Sequence, residues 1–522
     1  MLTLKEITDL LKENGLYKEI IIDGDWYYTV PEKAARAEVT DLSYDSRKVS
    51  DGTLFFCKGL KFNPEYLASA IKEGATAAIS ELVYTDKLDQ EAQSTPQIIV
   101  TDVQKAMAVI ARHFYGCPDE KLELIGFTGT KGKTTSVYFT RHILAHEFGP
   151  VVGQFSSIDE CVDGKNFIEA HLTTPESLDL FRMMKEAVDN GMKYLAMEVS
   201  SQAYKKSRVY GLHFNIGVFL NISPDHISPV EHPTFDDYLW CKSQIIVNSD
   251  TVILNRDMDY YELLAQKAHE LGKKLITFGS DESDADYRYY GKDHGYFDVS
   301  THNDNLPEVT GEFRVMIPGH FNYSNALAAI TVSAQLKDDT SDFAQGLKET
   351  KVPGRMEFLK NNAGMVACVD YAHNYLSLSE SFKFMKHEYP DGRLIVVIGA
   401  AGGKAESRRK DVGRALSEYA DVAILTSEDN FFEDPHHIDE TIKEHITNPN
   451  VKVIINVDRV AAIKQAFEMA KPGDAMFMAA KGREQFMHEK GRDIPYVGDY
   501  QLSQKLMKEY DNYIYGKLFL AW

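Results

Sequence analysis

The densest run of residues able to do chemistry is Thr128-Gly129-Thr130-Lys131-Gly132-Lys133-Thr134-Thr135. It follows the apolar segment Leu122-Glu123-Leu124-Ile125 and precedes SVYFTRHILAHEF, a stretch of helical character. A strand feeding a glycine-rich turn that opens a helix presents backbone N–H groups to phosphate, with Lys133 placed to reach the distal phosphates and Thr134 to offer its hydroxyl to Mg²⁺. The run departs from the GxxxxGK(S/T) spacing, because Phe127 stands where that pattern has its first glycine. A phosphate loop says that a nucleotide binds; it does not say what receives the phosphoryl group.

Two further segments each close an apolar strand: Met197-Glu198-Val199-Ser200-Ser201 and Asn221-Ile222-Ser223-Pro224-Asp225-His226. Open α/β sheets bind ligands at the C-terminal tips of their strands, so Glu198 and His226 are expected to face the phosphate loop and to supply oxygen and nitrogen ligands to magnesium. Taken singly, Glu198 reads equally well as a helix cap and His226 as a bonded loop histidine.

Positioning such groups requires several elements, and the length of 522 residues predicts three or four domains at about 100 to 200 residues each. Residues 1–118 mix short strands (EIIID, TLFFCKG, AAIS, QIIVTD) with helices, the first being an amphipathic helix in MLTLKEITDLLKENG, and end at Gly116-Cys117-Pro118. Residues 119–351 alternate apolar strands (LELIGFTG, KYLAMEVSS, IGVFLNIS, TVILN) with helical segments, the pattern of a parallel sheet. A second alternation (MVACVDYAH, LIVVIGAAGG, VAILTSED, VKVIINV, AMFMAAKG) fills 352–522 and reads as a Rossmann-like domain. The expected fold is therefore α/β in three domains.

Composition narrows the partners. A formal charge of −21 disfavours a nucleic-acid binder, which needs a basic face to displace counterions. No apolar run approaches the roughly 20 residues that span a bilayer, and the N-terminus lacks the pattern of a signal peptide, so membrane insertion is not expected and the cytoplasm is the expected location. The five cysteines are scattered without a CxxC pair, consistent with free thiols.

The phosphate loop, His171-Leu172-Thr173-Thr174-Pro175-Glu176-Ser177, Glu198-Val199-Ser200-Ser201, Asn221 to His226, Gly319-His320-Phe321-Asn322-Tyr323-Ser324-Asn325, Pro353-Gly354-Arg355-Met356-Glu357 and Asp370-Tyr371-Ala372-His373-Asn374 occur in the order found in Mur ligases, and the chain resembles that family over nearly its whole length. Ser43-Tyr44-Asp45-Ser46-Arg47 and Lys481-Gly482-Arg483-Glu484 narrow the resemblance to the MurE type, which adds the third residue of the peptidoglycan stem peptide.

The resemblance implies an ATP-dependent ligase with Mg²⁺ as cofactor, which phosphorylates the terminal carboxylate of UDP-N-acetylmuramoyl-L-alanyl-D-glutamate and joins it to an amino acid. It assigns Thr128 to Thr135, Asn322, Asn325, Arg355, Asp370 and His373 to ATP; Asp45, Ser46, Arg47, Thr173, Thr174, Ser200 and Arg208 to the UDP substrate; and Lys133, Glu198, His226, Lys242 and Arg355 to catalysis. Lys242 stands where the family carries a carbamylated lysine, whose carbamate would join Thr134, Glu198 and His226 around the metal. Lys206 departs from the glutamine common in relatives. A monomer working on small molecules is expected.

The added amino acid is read from a departure. Relatives that use meso-diaminopimelate carry Asp-Asn-Pro-Arg, whose arginine clamps the distal carboxylate. Here Thr426-Ser427-Glu428-Asp429-Asn430-Phe431 puts Phe431 in place of that arginine, while Glu428, Asp429 and Glu484 offer acidic company to an ammonium, with Arg409 also expected at the amino acid. L-Lysine is the expected substrate, with L-ornithine or meso-diaminopimelate as alternatives. More remote are a folylpolyglutamate-type ligase, against which the N-terminal domain argues, and a P-loop regulatory switch.

Overall fold

The computed structural model of the chain describes residues 1–519 apart from 60–61, 91, 226, 228–230, 293–294, 318, 338 and 404–406. Contacts in space divide it into two compact units, one of residues 1–289, 299–310 and 324–346, the other of 290–298, 311–323 and 347–522.

The first unit opens with the expected amphipathic helix, Leu4–Glu13, which starts at Thr3 because the Thr3 hydroxyl accepts from the Glu6 N–H while the Glu6 carboxylate accepts from the Thr3 N–H. Leu4, Ile7 and Leu11 line its buried face. A six-stranded sheet follows, in the order Asp25–Tyr27, Tyr17–Ile22, Gln97–Val100, Ala77–Ser80, Thr53–Phe56, Asp41–Ser43. Its last four strands are parallel, and three of them are buried along their whole length, which is why they read as apolar runs rather than as alternation.

The same unit holds six consecutive parallel strands of a larger sheet: Val152–Phe155, Tyr194–Glu198, Glu123–Thr128, Phe214–Phe219, Ser249–Asn255 and Lys274–Ser280. Strand Glu123–Thr128, which feeds the phosphate loop, lies between the strand ending in Glu198 and the strand leading to Asn221. Register sets Glu198 beside Phe127 and Phe219 beside Thr128, so the three chemistry-bearing loops leave the sheet at one edge.

The second unit contains a sheet in the order Glu357–Lys360, Val366–Val369, Ala475–Met478, Leu394–Ile398, Val422–Leu425, Lys452–Ile455, parallel except for the first strand. Asp370, Thr426 and Ala479 follow the C-terminal ends of parallel strands of this sheet, so the segments carrying Glu428, Asp429 and Glu484 emerge on one side. The chain closes with helix Asp499–Phe519; the apolar residues Leu520-Ala521-Trp522 lie outside the described residues.

Helix Pro435–Glu444 of this unit buries Asp439 completely, and among the described residues neither carboxylate oxygen has a hydrogen-bond partner. Burial pushes its carboxyl up to about 7, against the pull of Arg459. The folded state then holds a proton that the unfolded state releases near the ordinary carboxylate range. Stability from this group is present at low pH and is lost as pH rises through about 7, by up to roughly 4 kcal/mol. Asp439→Asn, an isostere of the protonated form, is expected to raise the melting temperature most at pH 8, less at pH 5 and little at pH 3, below the ordinary carboxylate range. Equal effects at all three pH values would contradict this account.

Candidate active site

The phosphate loop is built as its sequence requires. Gly132 caps helix Lys133–Phe148 at φ +86°, and a Cβ there would meet Asn325 Oδ1 at 2.2 Å, so both backbone conformation and space call for glycine. The loop is pinned from the neighbouring strand end: Lys131 N–H donates to Asn221 Oδ1 (2.9 Å), Asn221 Nδ2 donates to the Lys131 carbonyl (3.0 Å) and the Ser223 N–H donates to Thr130 Oγ1 (3.0 Å). Lys133 folds back, donating to the carbonyls of Gly129 (2.9 Å) and Thr130 (3.3 Å). Thr128 is fully buried and its hydroxyl lacks a partner among the described residues. Thr135 is buried in the helix.

Glu198 is 1% exposed and both its hydrogen bonds fall on Oε1, from Thr134 Oγ1 (2.8 Å) and from the Ser157 N–H (2.7 Å). Among the described residues no hydrogen bond reaches Oε2. A hydroxyl and a carboxylate oxygen at a phosphate loop are hard donors that suit Mg²⁺. His226 lies outside the described residues.

Lys242 sits on helix Phe235–Val247, 2% exposed, donating to the Gly129 carbonyl (2.7 Å) and lying over the Tyr238 ring. Burial, then the Lys133 charge, hold its amine well below the ordinary lysine range. As an ammonium it would repel a metal ion; as a carbamate it would add a negative charge and two oxygen donors.

Of the residues read for the UDP substrate, Asp45 and Arg47 pair with each other, bidentate at 2.9 and 2.8 Å, on the short turn Ser46–Lys48. The Arg47 hydrogen bonds hold the Asp45 carboxyl down at about 2, and the arginine stays 86% exposed. Thr174 and Ser200 meet: Thr174 Oγ1 donates to the Glu198 carbonyl (3.0 Å) and accepts from the Ser200 N–H (3.1 Å). Arg208 donates to the Thr174 carbonyl (3.2 Å) and to Glu176 (3.0 Å). Thr173 is the half-buried neighbour of this cluster. Lys58, just beyond strand Thr53–Phe56, completes it without any local sequence signal: it pairs with Glu176 at 2.6 Å and lies over the Tyr44 ring, whose hydroxyl donates to Asp179 (2.5 Å). Burial opposes ionisation of Glu176, but Lys58 and Arg208 win and its carboxyl is held low.

In the second unit, Asn322 donates to the Ile317 carbonyl (3.4 Å). Asp370 does not stand open: its carboxylate accepts from the N–H groups of Met356 (2.7 Å) and Ala372 (2.6 Å), tying the Pro353–Met356 segment to the sheet. Arg355 lies over the Tyr371 ring. The strand ends at Val369, so His373 belongs to the loop beyond it, where Nδ1 donates to the Tyr371 carbonyl (2.7 Å). Gly482 (φ +53°) backs onto that ring, which a Cβ would meet at 2.2 Å.

Asp429 and Glu484 come together around a buried cation. Lys481, 1% exposed in its side chain, donates to Asp429 Oδ1 (2.9 Å) and pairs with Glu484. Burial, with the charges of Asp429 and Glu484, pushes Glu428 up to about 7 against Arg459 and Lys481. Phe431 stacks on the His488 ring at 5.4 Å. Arg409 is buried and donates to Glu433 (2.7 Å), which also accepts from the Gly403 N–H.

Comparison with known proteins places these residues in context. Residues 127–333 match the Mur ligase middle domain and residues 354–482 match the Mur ligase glutamate ligase domain. The UDP-N-acetylmuramoyl-L-alanyl-D-glutamate–L-lysine ligase of Enterococcus faecalis (strain ATCC 700802 / V583) is 46% identical over 97% of this chain and 99% of that protein. The UDP-N-acetylmuramyl-tripeptide synthetase of Ligilactobacillus salivarius (strain UCC118) is 42% identical over 96% and 98%. A solved UDP-N-acetylmuramoyl-L-alanyl-D-glutamate–2,6-diaminopimelate ligase shares the fold at a TM-score of 0.64 and 22% identity, covering 92% of this chain and 97% of its own.

Proposed function

From the premise that the chain belongs to the Mur ligase family, we propose that it joins L-lysine to UDP-N-acetylmuramoyl-L-alanyl-D-glutamate at the expense of ATP, in the cytoplasm, as a monomer. Among the described residues no helix is long and apolar enough to cross a membrane. The observation that carries the reading is the gathering of Lys133, Thr134, Glu198 and the buried Lys242 around the Gly129–Thr130 turn at one sheet edge. Division of labour follows the three segments: 1–118 for the uridine nucleotide, 119–351 for ATP, 352–522 for the amino acid.

A carboxylate is a poor electrophile, so the dipeptide carboxylate oxygen first attacks the γ-phosphorus of ATP and ADP leaves. The lysine α-amine then adds to the acyl carbon, and the tetrahedral species expels phosphate. Positioning and charge neutralisation dominate such a reaction. The loop N–H groups and Lys133 take the phosphates, with Asn322, Asn325, Arg355, Asp370 and His373 assigned to the rest of the nucleotide. Thr134, Glu198 and carbamylated Lys242, with His226, would hold Mg²⁺, which supplies further charge neutralisation at the phosphate oxygens. Asp45, Ser46 and Arg47 would meet the uridine end, and Thr173, Thr174, Ser200 and Arg208 the muramoyl dipeptide.

Selection of lysine rests on charge. Glu428, Asp429 and Glu484 set three carboxyl groups around Lys481, while Arg459, which also acts on Glu428, is already paired with Asp499, an arrangement that welcomes an ammonium. A second carboxylate on the amino acid would find Phe431 where a clamp needs arginine, and would be buried without a partner. ATP-dependent ligation compared with L-lysine, L-ornithine and meso-diaminopimelate is expected to favour L-lysine. L-ornithine, one methylene shorter, should fall behind by about 10- to 200-fold and meso-diaminopimelate by more. A preference for diaminopimelate would overturn the argument from Phe431.

A further inference from the structure

We propose that Tyr138 and Asp159 are positioning residues, a buried brace that fixes the Glu198 carboxylate so that Oε2 stays open for a divalent cation beside the phosphate loop; this rests on the reading of Thr134 and Glu198 as metal ligands. The brace is a closed circuit of hydrogen bonds. Tyr138 lies four residues after Thr134, on the same face of helix Lys133–Phe148. Its hydroxyl donates to Asp159 Oδ2 (2.5 Å), and Gln154 Nε2 donates to Asp159 Oδ1 (2.6 Å). Tyr138, Gln154, Ser156 and Asp159 are all buried.

Between strand Val152–Phe155 and Asp159 the chain makes a tight turn. The Ser156 N–H and hydroxyl both donate to the Asp159 carbonyl (3.0 and 2.8 Å), while Ser156 Oγ accepts from the N–H groups of Ile158 (3.2 Å) and Asp159 (3.0 Å). This turn lifts Ser157 to the surface, the exposed member of an otherwise covered segment. There its N–H donates to Glu198 Oε1 (2.7 Å), and its hydroxyl meets Thr134 Oγ1 at 3.0 Å. Thr134 in turn donates to the same Glu198 oxygen, which returns the circuit to the helix it started from.

Two donors on Oε1 set the rotation of the carboxyl group, and the turn that supplies one of them is held to the helix that supplies the other through Asp159 and Tyr138. Removing the Tyr138 hydroxyl leaves the ring packed but frees the turn. The loss would fall on the carboxylate rather than on the loop N–H groups, which are pinned from Asn221. Metal dependence and metal-free nucleotide binding should therefore separate.

Calorimetric binding of ADP to the full chain, measured over a range of Mg²⁺ and in its absence, tests this in Tyr138→Phe, Ser157→Ala, Ser157→Thr and Glu198→Gln. Tyr138→Phe is expected to raise the Mg²⁺ concentration at half-effect by about fivefold, the worth of one hydrogen bond. Affinity without Mg²⁺ should stay close to that of the parent. Ser157→Ala should move in the same direction by less, and Ser157→Thr, which keeps the hydroxyl, should match the parent. If Tyr138→Phe fails to fold, Asp159→Asn is read in the same way. An unchanged Mg²⁺ requirement, or equal losses with and without Mg²⁺, would overturn the brace while Glu198→Gln still shows the metal effect. If Glu198→Gln leaves the Mg²⁺ dependence intact, the metal reading itself fails and the brace falls with it.

Discussion

Replacing Lys133 by alanine is expected to lower ATP-dependent ligation by about a thousandfold or more while leaving the fold intact. The half-buried side chain leaves the first turn of helix Lys133–Phe148 and donates to the loop carbonyls of Gly129 and Thr130, so truncation opens no cavity in an apolar core. What is lost is the positive charge at the distal phosphates, where negative charge is redistributed as the phosphoryl group moves. A second consequence follows from its neighbour. The Lys133 charge is one of the two main influences holding the Lys242 amine low, so the alanine variant should also let that amine regain protons. Lys133→Arg keeps the charge with a bulkier head and should lose less. Turnover measured beside far-ultraviolet circular dichroism decides the matter: near-parental activity in Lys133→Ala would remove the loop from phosphoryl transfer.

How much of this was legible in the sequence depends on the distance over which each group finds its partner. The phosphate loop could be read because its demands are local: glycine at a left-handed position, lysine and threonine at the helix start, an apolar strand just before. The parallel strands could be read because burial on both faces leaves apolar runs in the text. Asp45 and Arg47 answer each other across two residues, within reach of any local reading. Lys481 is different: its partner Asp429 lies 52 residues away, and nothing in Lys481-Gly482-Arg483-Glu484 says that the lysine turns inward to neutralise the acids beside the expected amino-acid pocket. Lys58, just beyond strand Thr53–Phe56, meets Glu176, the residue before helix Ser177–Asp189, across 118 residues of chain. Asp370, which the family resemblance assigns to the nucleotide, accepts from the N–H groups of Met356 and Ala372, and the first of these partners, 14 residues away, is announced by no local pattern. Ser157 had no signal at all, since one serine in a turn is ordinary and its value comes from Glu198, 41 residues on.

Lys242→Ala is expected to cut ligation by about a thousandfold, on the scale of other lost charge clamps in phosphoryl transfer. The physical case starts from an awkward placement: a lysine 2% exposed, close enough to Lys133 for the two charges to oppose each other, and bonded through its amine to the Gly129 carbonyl. An ammonium is costly there, and both burial and Lys133 favour the neutral amine. A neutral amine is the form that adds to carbon dioxide, forming an N–C bond and releasing one proton to leave a carbamate. That step turns the cost into a gain, because the resulting anion sits beside the Lys133 ammonium and next to oxygen donors suited to magnesium. Lys242→Glu, a carboxylate on a shorter stem, should recover part of the activity, whereas Lys242→Arg, which keeps a fixed positive charge, should recover none. Incubation with ¹³C-labelled carbon dioxide should give a carbamate carbon resonance in the parent protein that is absent from Lys242→Ala. Full activity in a protein lacking that resonance would take Lys242 out of the mechanism and leave Thr134 and Glu198 to hold the metal without it.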